Sequence, residues 1–423
     1  MEEFKFSGKN ILLLCPTDEN QYINFHYACL QNKVKNLYRF NFVEYFSKYG
    51  IKNTEKYIEN FIKDKNIDAV FSILFASEYQ LSVEFYSSLK NRAKIVFWRF
   101  DDELYFEVYS KYYCQVADAV ITTDDIFNYY AYKRLEIPVI LYYSSHSSKK
   151  NHPIDIKKDI DVSFIGNCKK NDRMEYIDYL KNNGINIKTF GEDSEGGVLE
   201  WSKLGEIFSR TKINLNFTKI DNLNWINKDE PLLNRVRQNK GRPIEIALTK
   251  SFCLSEYAPS LEYTFESEKE IVFFHDKEQL LEKVKYYLSN EEKRNSIVEN
   301  AYKRAMENYE SEIAIPKVLK ELESIFNITD LKKPTNPEIF LSNMFKIKSI
   351  NGLTFSMFIL IRNLKFLYAI ELFFKLFKYG ILIFILGFFD GLFRSIKNIS
   401  SLKKCQTKQT QVIPACSQQE SRR

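Results

Sequence analysis

The fold class this sequence predicts is α/β: two doubly wound Rossmann-like domains in succession, then a C-terminal amphipathic helical extension. Three observations carry that prediction. Short apolar runs alternate with helical patterns over residues 10–145, the signature of βαβ units around a parallel sheet. A polar Ser/Lys/Asn/His/Pro-rich segment at 146–160 interrupts the alternation, and it restarts at Asp161. From Phe345 onward the chain turns aromatic and aliphatic with spaced Lys and Arg.

In the first unit, strands are expected at Asn10–Pro16, Ala69–Phe75, Ala93–Phe100, Ala119–Thr122 and Pro138–Tyr142, with helices at Thr54–Lys65, Ser82–Lys90, Glu107–Val116 and Phe127–Leu135. In the second, strands are expected at Asp161–Gly166, Ile185–Phe190, Ile213–Phe217, Ser251–Leu254 and Glu270–Phe274. The helices between and after them are Arg173–Asn182, Trp201–Arg210, one opening at Pro243, Lys277–Leu288 and Glu291–Tyr309. A long polar loop covers 218–239. The domains are therefore 1–150, 151–330 and 331–423, the last opening on the linker Lys-Lys-Pro-Thr-Asn-Pro and ending in a Gln/Ser/Lys-rich segment expected to be disordered.

The 423 residues are 45% hydrophobic and 27% charged, a globular balance too long for one ordinary domain. The 15% aromatic share reads as bulky packing. Net charge is +6 but unevenly placed: residues 331–423 hold 15 Lys/Arg against 4 Asp/Glu, leaving the other 330 residues at −5. That split excludes a nucleic-acid-binding body and points to an anionic membrane surface contacted through 345–397. The uncharged run Tyr379–Phe389 has 11 residues, short of the ~20 that cross a bilayer. Interfacial helices are expected instead, with Lys365, Lys375, Lys378, Arg394 and Lys397 at headgroup level. Seven cysteines show no CxxC pair, and Ile11–Cys15 is too short for a signal peptide. The expected location is cytoplasmic, peripheral on the inner face of the membrane.

The most informative stretch is Lys240–Tyr257. Lys240 and Arg242 stand beside a helix start at Pro243, Glu245 lies one turn in, and Glu256 follows a short strand. Cations at a helix mouth suit a diphosphate, and an early acid suits sugar or ribose hydroxyls. Together they suggest a nucleotide-sugar site. Gly166 and Asn167, at a strand-to-helix turn, and Arg173, opening the next helix, are further donor-side candidates. A general base is expected from the first half, with Asp101, Asp102 and Glu103 at a strand exit preferred over Asp18, Glu19 and His26. His146 and His152 fall in the linker, His275 after a strand, and no pair has metal spacing. No metal or cofactor is expected beyond the nucleotide sugar as substrate.

Residues 161–309 resemble the CgeB/YkvP-like glycosyltransferases of the GT-B architecture. The matching segments are Asp161-Val-Ser-Phe-Ile-Gly-Asn167, Arg173 with Tyr176-Ile-x-Tyr-Leu180, Ile185-Asn-Ile-x-x-Phe-Gly191, Ile213-Asn-Leu-Asn-Phe217, Lys240–Tyr257, Glu270-Ile-Val-Phe-Phe274 and Tyr286-Tyr-Leu288. In the first half, Phe100-Asp-Asp-Glu103 and Ile121-Thr-Thr-Asp124 resemble that family's acceptor-side domain. The resemblance implies metal-independent transfer of a sugar from a nucleotide-diphosphate donor to a glycan or lipid-linked acceptor, in cell-surface polysaccharide or lipopolysaccharide synthesis. Glu245 matches the second Glu of the Glu-x7-Glu motif of retaining GT-B enzymes, but the first falls on Arg237, so stereochemistry stays open. Three other readings stand beside this one: a non-catalytic envelope protein on the same scaffold, a transferase of another activated group such as glycerol phosphate, and a GT-A enzyme using Asp101-Asp102-Glu103 on a metal. The duplicated pattern disfavours the GT-A reading.

Overall fold

A computed structural model describes residues 3–17, 20–74, 81–220, 237–328 and 341–406. The first sheet has six parallel strands: β1 (Asn10–Cys15), β2 (Asn36–Asn41), β3 (Ala69–Leu74), β4 (Lys94–Arg99), β5 (Ala119–Thr123) and β6 (Val139–Tyr142), in spatial order β2-β1-β3-β4-β5-β6. Its helices are α1 (Gln21–Gln31), α2 (Phe42–Tyr49), α3 (Ile51–Asp64), α4 (Val83–Leu89), the short α5 (Lys111–Cys114) and α6 (Ile126–Arg134). Asn20, Ser82 and Asp125 start α1, α4 and α6 by accepting backbone N–H bonds.

The second sheet is also parallel: β7 (Ile160–Ile165), β8 (Ile187–Phe190), β9 (Thr211–Asn216), β10 (Cys253–Glu256) and β11 (Val272–Phe274), ordered β11-β10-β9-β7-β8. Around it lie α7 (Arg173–Asn182), α8 (Leu204–Arg210), α9 (Arg242–Leu248), α10 (Pro259–Thr264), α11 (Lys277–Ser289) and α12 (Glu291–Asn308). Strand order reverses between β7 and β9, so a crevice opens beyond Gly166 and Thr218, the usual ligand position in such sheets.

Most expected elements appear within a few residues. β2 was not expected. Its sequence, Asn-Leu-Tyr-Arg-Phe-Asn, mixes polar and apolar residues because it is a half-exposed edge strand. The helix expected over Glu107–Val116 is a wider turn, Phe106–Ser110, running into α5.

Two segments return to the first domain. α13 (Ser311–Asn327) buries Ala314, Ile315, Val318, Leu319 and Leu322 against the face of the first sheet that α1 covers. The second domain by packing therefore ends near Tyr309. Two chain crossings join the domains side by side: His146 N–H donates to the Tyr309 carbonyl, and Ser311 N–H donates to the His146 carbonyl. The C-terminal helices α14 (Asn343–Arg362), α15 (Phe366–Lys375) and α16 (Ile381–Gln406) pack on the opposite face. There Phe345, Ile350, Met357, Leu360, Ala369, Leu372 and Leu376 complete the core formed with α2, α3 and α4. The terminal region is thus part of the first domain's hydrophobic core.

Candidate active site

At the second sheet's carboxyl edge, Gly166 N–H donates to the Phe190 carbonyl at 2.8 Å. Gly191 (φ +111) lies so close that a Cβ there would sit 2.5 Å from the Gly166 oxygen. Asn167 accepts the Lys169 N–H at 2.9 Å and donates to Glu192 at 3.0 Å. Arg173, buried at the start of α7, donates to the Asn167 carbonyl at 3.0 Å and lies over the Phe164 ring. Gly166, Asn167 and Arg173 are therefore brought together, and their contacts hold the β7–α7 turn in shape.

Glu256 ends β10 almost fully buried. One carboxylate oxygen accepts the Thr218 and Lys219 N–H groups at 2.8 and 2.9 Å, and the other lies 2.8 Å from Arg237 Nε. It anchors the chain leaving β9. Arg237, standing at the position where the resemblance places an acid, neutralises it.

Pro243 sits in the first turn of α9, as the sequence predicts, but the helix has seven residues. Its dipole is correspondingly small, so anion binding rests on side-chain cations more than on the helix. Arg242 Nη1 lies 2.5 Å from Glu245 and its guanidinium covers the Phe208 ring. Glu245 is buried, with its other oxygen 3.5 Å from His146 Nδ1. Burial lowers the His146 pKa against the pull of Glu245, so the ring meets that carboxylate as a neutral partner. Lys240 is half-exposed, with no ion pair or side-chain hydrogen bond among the described residues. At Gly241 the second domain packs tightly against the first domain and the linker. A Cβ there would lie 2.4 Å from His146 Nε2, 3.0 Å from Ser144 Cβ and 3.1 Å from the Tyr22 hydroxyl.

Across the cleft, the three acids after β4 divide. Asp102 is fully buried and accepts from Arg99, Ser110 and, at 2.5 Å, Tyr132. It anchors the β4 exit against α6. Asp101, in left-handed backbone (φ +54), and Glu103 instead face the second domain, where the Gln238 carboxamide donates to them at 2.6 and 2.9 Å. Burial, then Asp125 and Asp101, raise the Glu103 carboxyl well above the usual range, with Gln238 opposing. Asp124 and Asp125, at the end of β5, are each raised to about 6, burial being the main cause. Asp124 accepts both the N–H and the hydroxyl of Ser144.

His26 is buried and held neutral, burial lowering its pKa to about 4 against the opposing bond to the Tyr22 carbonyl, and its other ring nitrogen meets the Tyr142 hydroxyl. His275 packs on Tyr257, and His152 is exposed in the linker. Asp18 and Glu19 lie outside the described residues. Among the described residues, no group of three His, Cys, Asp or Glu side chains is placed to hold a metal.

Between the domains lies a cavity of about 750 Å³, lined by Tyr22 and Phe25 of α1, His146 and Lys150 of the linker, Trp201 before α8, and Glu245. That volume suits a nucleotide-sized ligand. Of the residues singled out in the sequence as donor-binding, Glu245 alone lines it. Tyr22, Trp201 and the linker lysines were missed. A half-exposed Trp after a Gly-Gly loop was the available signal; Tyr22 and His146 carried none.

Residues 169–316 match the model of a family described as glycosyl transferase-like. Solved structures similar to this chain include a glycosyltransferase from Rickettsia africae, with 11% identity, TM-score 0.56, and 77% of this chain and 100% of that one covered. Anabaena Alr3699/HepE, crystallised with UDP and glucose, follows at 10%, 0.55, 75% and 100%. Sucrose-phosphate synthase from Thermosynechococcus elongatus gives 10%, 0.52, 75% and 99%. No curated protein matches the sequence significantly. At these identities the likeness is one of fold, and the fold is GT-B: two Rossmann-like domains facing across a cleft, with a helical C-terminal region.

Proposed function

We propose that this protein transfers a glycosyl group from a nucleoside diphosphate sugar to a glycan or lipid-linked acceptor, without a metal, at the cytoplasmic face of the membrane. The observation that carries the reading is the Gly241–Glu245 segment closing against Tyr22 and His146 at a nucleotide-sized interdomain cavity. It lies inside the segment matching a glycosyl transferase-like family. Glu245 accepts from ribose hydroxyls and Trp201 covers the base. Lys240, Arg242 and the exposed Lys149 and Lys150 neutralise charge growing on the diphosphate as the glycosidic bond breaks.

Glu103 is the preferred base. It faces the cleft beside Gln238 of the second domain, where in its ionised form it can take a proton from an acceptor hydroxyl. Asp101 helps hold its partner Gln238 in place. UDP is the first nucleotide to test, since a fold neighbour was crystallised with it. The setting that fits is assembly of a surface polysaccharide or lipopolysaccharide, and the CgeB/YkvP-like group is the subfamily the sequence best resembles.

Isothermal titration with UDP-, GDP-, ADP- and CMP-sugars tests the reading; no binding to any of them would overturn it. The non-catalytic reading draws on Arg237, which pairs with Glu256 where the resemblance places a catalytic acid. Nucleotide release from a donor, lost in Lys240→Ala and Glu245→Ala, would exclude it. Product mass separates sugar from glycerol-phosphate transfer.

A further inference from the structure

Where the C-terminal helices meet one another they do so through small and polar residues, and many of their large apolar residues stay outside. Where α16 crosses α14, Gly387 and Gly391 leave no room for a side chain: a Cβ would lie 2.6 Å from Ile350 Cβ and 2.7 Å from Thr354 Cβ respectively. Asn351 of α14 donates to Asp390 of α16, both side chains are buried, and Ser395 continues the same face one turn on. The run Gly387-x-x-x-Gly391-x-x-x-Ser395 is the small-residue spacing that packs helices in lipid, where apolar side chains need no protein partner.

The opposite faces are bare. On α15, Leu367 is 82% and Phe374 71% exposed, while Ala369 and Leu372 of the same helix are buried in the first domain's core. On α16, Ile381 and Leu382 are 63% and 67% exposed, and Ile385 and Phe389 extend the stripe at helical spacing. A helix apolar on every side belongs in a protein interior or in a bilayer. Clustered exposed apolar side chains of this size mark an interaction surface in soluble proteins. The exposed charges of these helices at its edge are cationic: Arg362 and Lys365 are exposed, Lys378 is exposed and paired with Glu84 of the first domain at 2.7 Å, Asp390 is buried and Glu371 half-buried. Arg394 and Lys397 lie outside the residues whose side chains are described.

We infer that the outer face of α15 and the first turns of α16 embed in the acyl region of an anionic bilayer, with Arg362 and Lys365 at the phosphates. α14 is long and apolar enough to span a membrane. Its Phe345, Ile350, Met357 and Leu360 instead join the first-domain core, so it serves as the platform on which the other two helices are held. The bilayer is thereby fixed to the domain that carries Asp101 and Glu103, so that a lipid-linked acceptor is presented on the same domain as the proposed base. This last step rests on the transferase reading; the embedding does not.

The test uses the full chain, because removing residues 331–423 would uncover the first-domain core. Wild type and a Leu367→Ser/Phe374→Ser/Leu382→Ser variant are floated with phosphatidylcholine vesicles, with and without phosphatidylglycerol, at low and high salt. UDP-sugar titration of both proteins reports folding and the site separately. Wild type is expected to float with phosphatidylglycerol vesicles and to stay bound in high salt. The serine variant is expected to lose partition on the order of a hundredfold while binding nucleotide as wild type does. A variant that floats equally well, a wild type released completely by salt, or a wild type that hides this face in a stable lipid-free dimer would overturn the inference. Failure of donor binding with flotation intact would count against the transferase reading alone.

Discussion

Asp124→Asn should stabilise this protein, and by an amount that depends on pH. Asp124 is buried beside Tyr22 and Ser144, and its carboxyl is raised from its ordinary 3.8 to about 6, chiefly by burial. At about 1.4 kcal/mol per tenfold change in proton affinity, ionising it in the folded state costs about 3 kcal/mol relative to the unfolded chain. The folded protein holds this proton more tightly than the unfolded one. Its contribution to stability is therefore full below pH 3.8, falls as pH rises through about 6, and is flat beyond. Asparagine removes that titration. It tolerates the left-handed backbone here (φ +62), and its carbonyl can still accept the Ser144 N–H. One weakened hydroxyl contact costs about 1 kcal/mol at every pH. The variant should thus be about 1 kcal/mol less stable than wild type near pH 3 and about 2 kcal/mol more stable at pH 8. Urea unfolding of both proteins across that range, followed by circular dichroism and tryptophan fluorescence, reads the difference directly. A difference that does not change with pH, or a variant less stable at pH 8, would refute the assignment of a destabilising buried carboxylate to the cleft.

Asp102→Ala strands the fully buried Arg99 guanidinium and should cost about 3–5 kcal/mol, seen as a large drop in urea midpoint. Gly241→Ala drives a methyl against His146 Nε2 and should cost about 1–3 kcal/mol. Because the shortest of its contacts is with that ring, His146→Ala should recover part of the loss in a double-mutant cycle, and strict additivity would show that the contact is not the cause. Lys240→Ala should weaken UDP-sugar binding about tenfold or more, the scale of one charge-assisted contact, without moving the unfolding midpoint. A shifted midpoint with unchanged affinity would assign Lys240 to structure instead.

Much of the architecture was legible because parallel strands buried on both faces need continuous apolar runs, and their helices need a 3.6-residue period. α7 falls on its expected residues, Arg173–Asn182, for that reason. β2 escaped notice because an edge strand is only half buried and carries no such run. Glu245 could be singled out from its place after Pro243 on a helix. Its neighbour His146 could not, because nothing local ties a linker histidine to a carboxylate 99 positions away in the chain. The Gln238 bridge to Asp101 and Glu103 is of the same kind, spanning 137 and 135 positions.

By itself the sequence determined the two α/β units, the polar linker between them, the basic apolar C-terminal region and the residue types able to handle a diphosphate. Tertiary structure decided that α13 and the C-terminal helices belong to the first domain, that Asp102 anchors while Glu103 faces the cleft, and that Glu245 meets His146 beside a cavity. The division has a physical cause. Period and propensity act between residues a few positions apart, so they are written locally. Burial of a charge, closure of one domain on another and the choice of what covers an apolar face depend on contacts between distant segments, and exist only once the chain has folded.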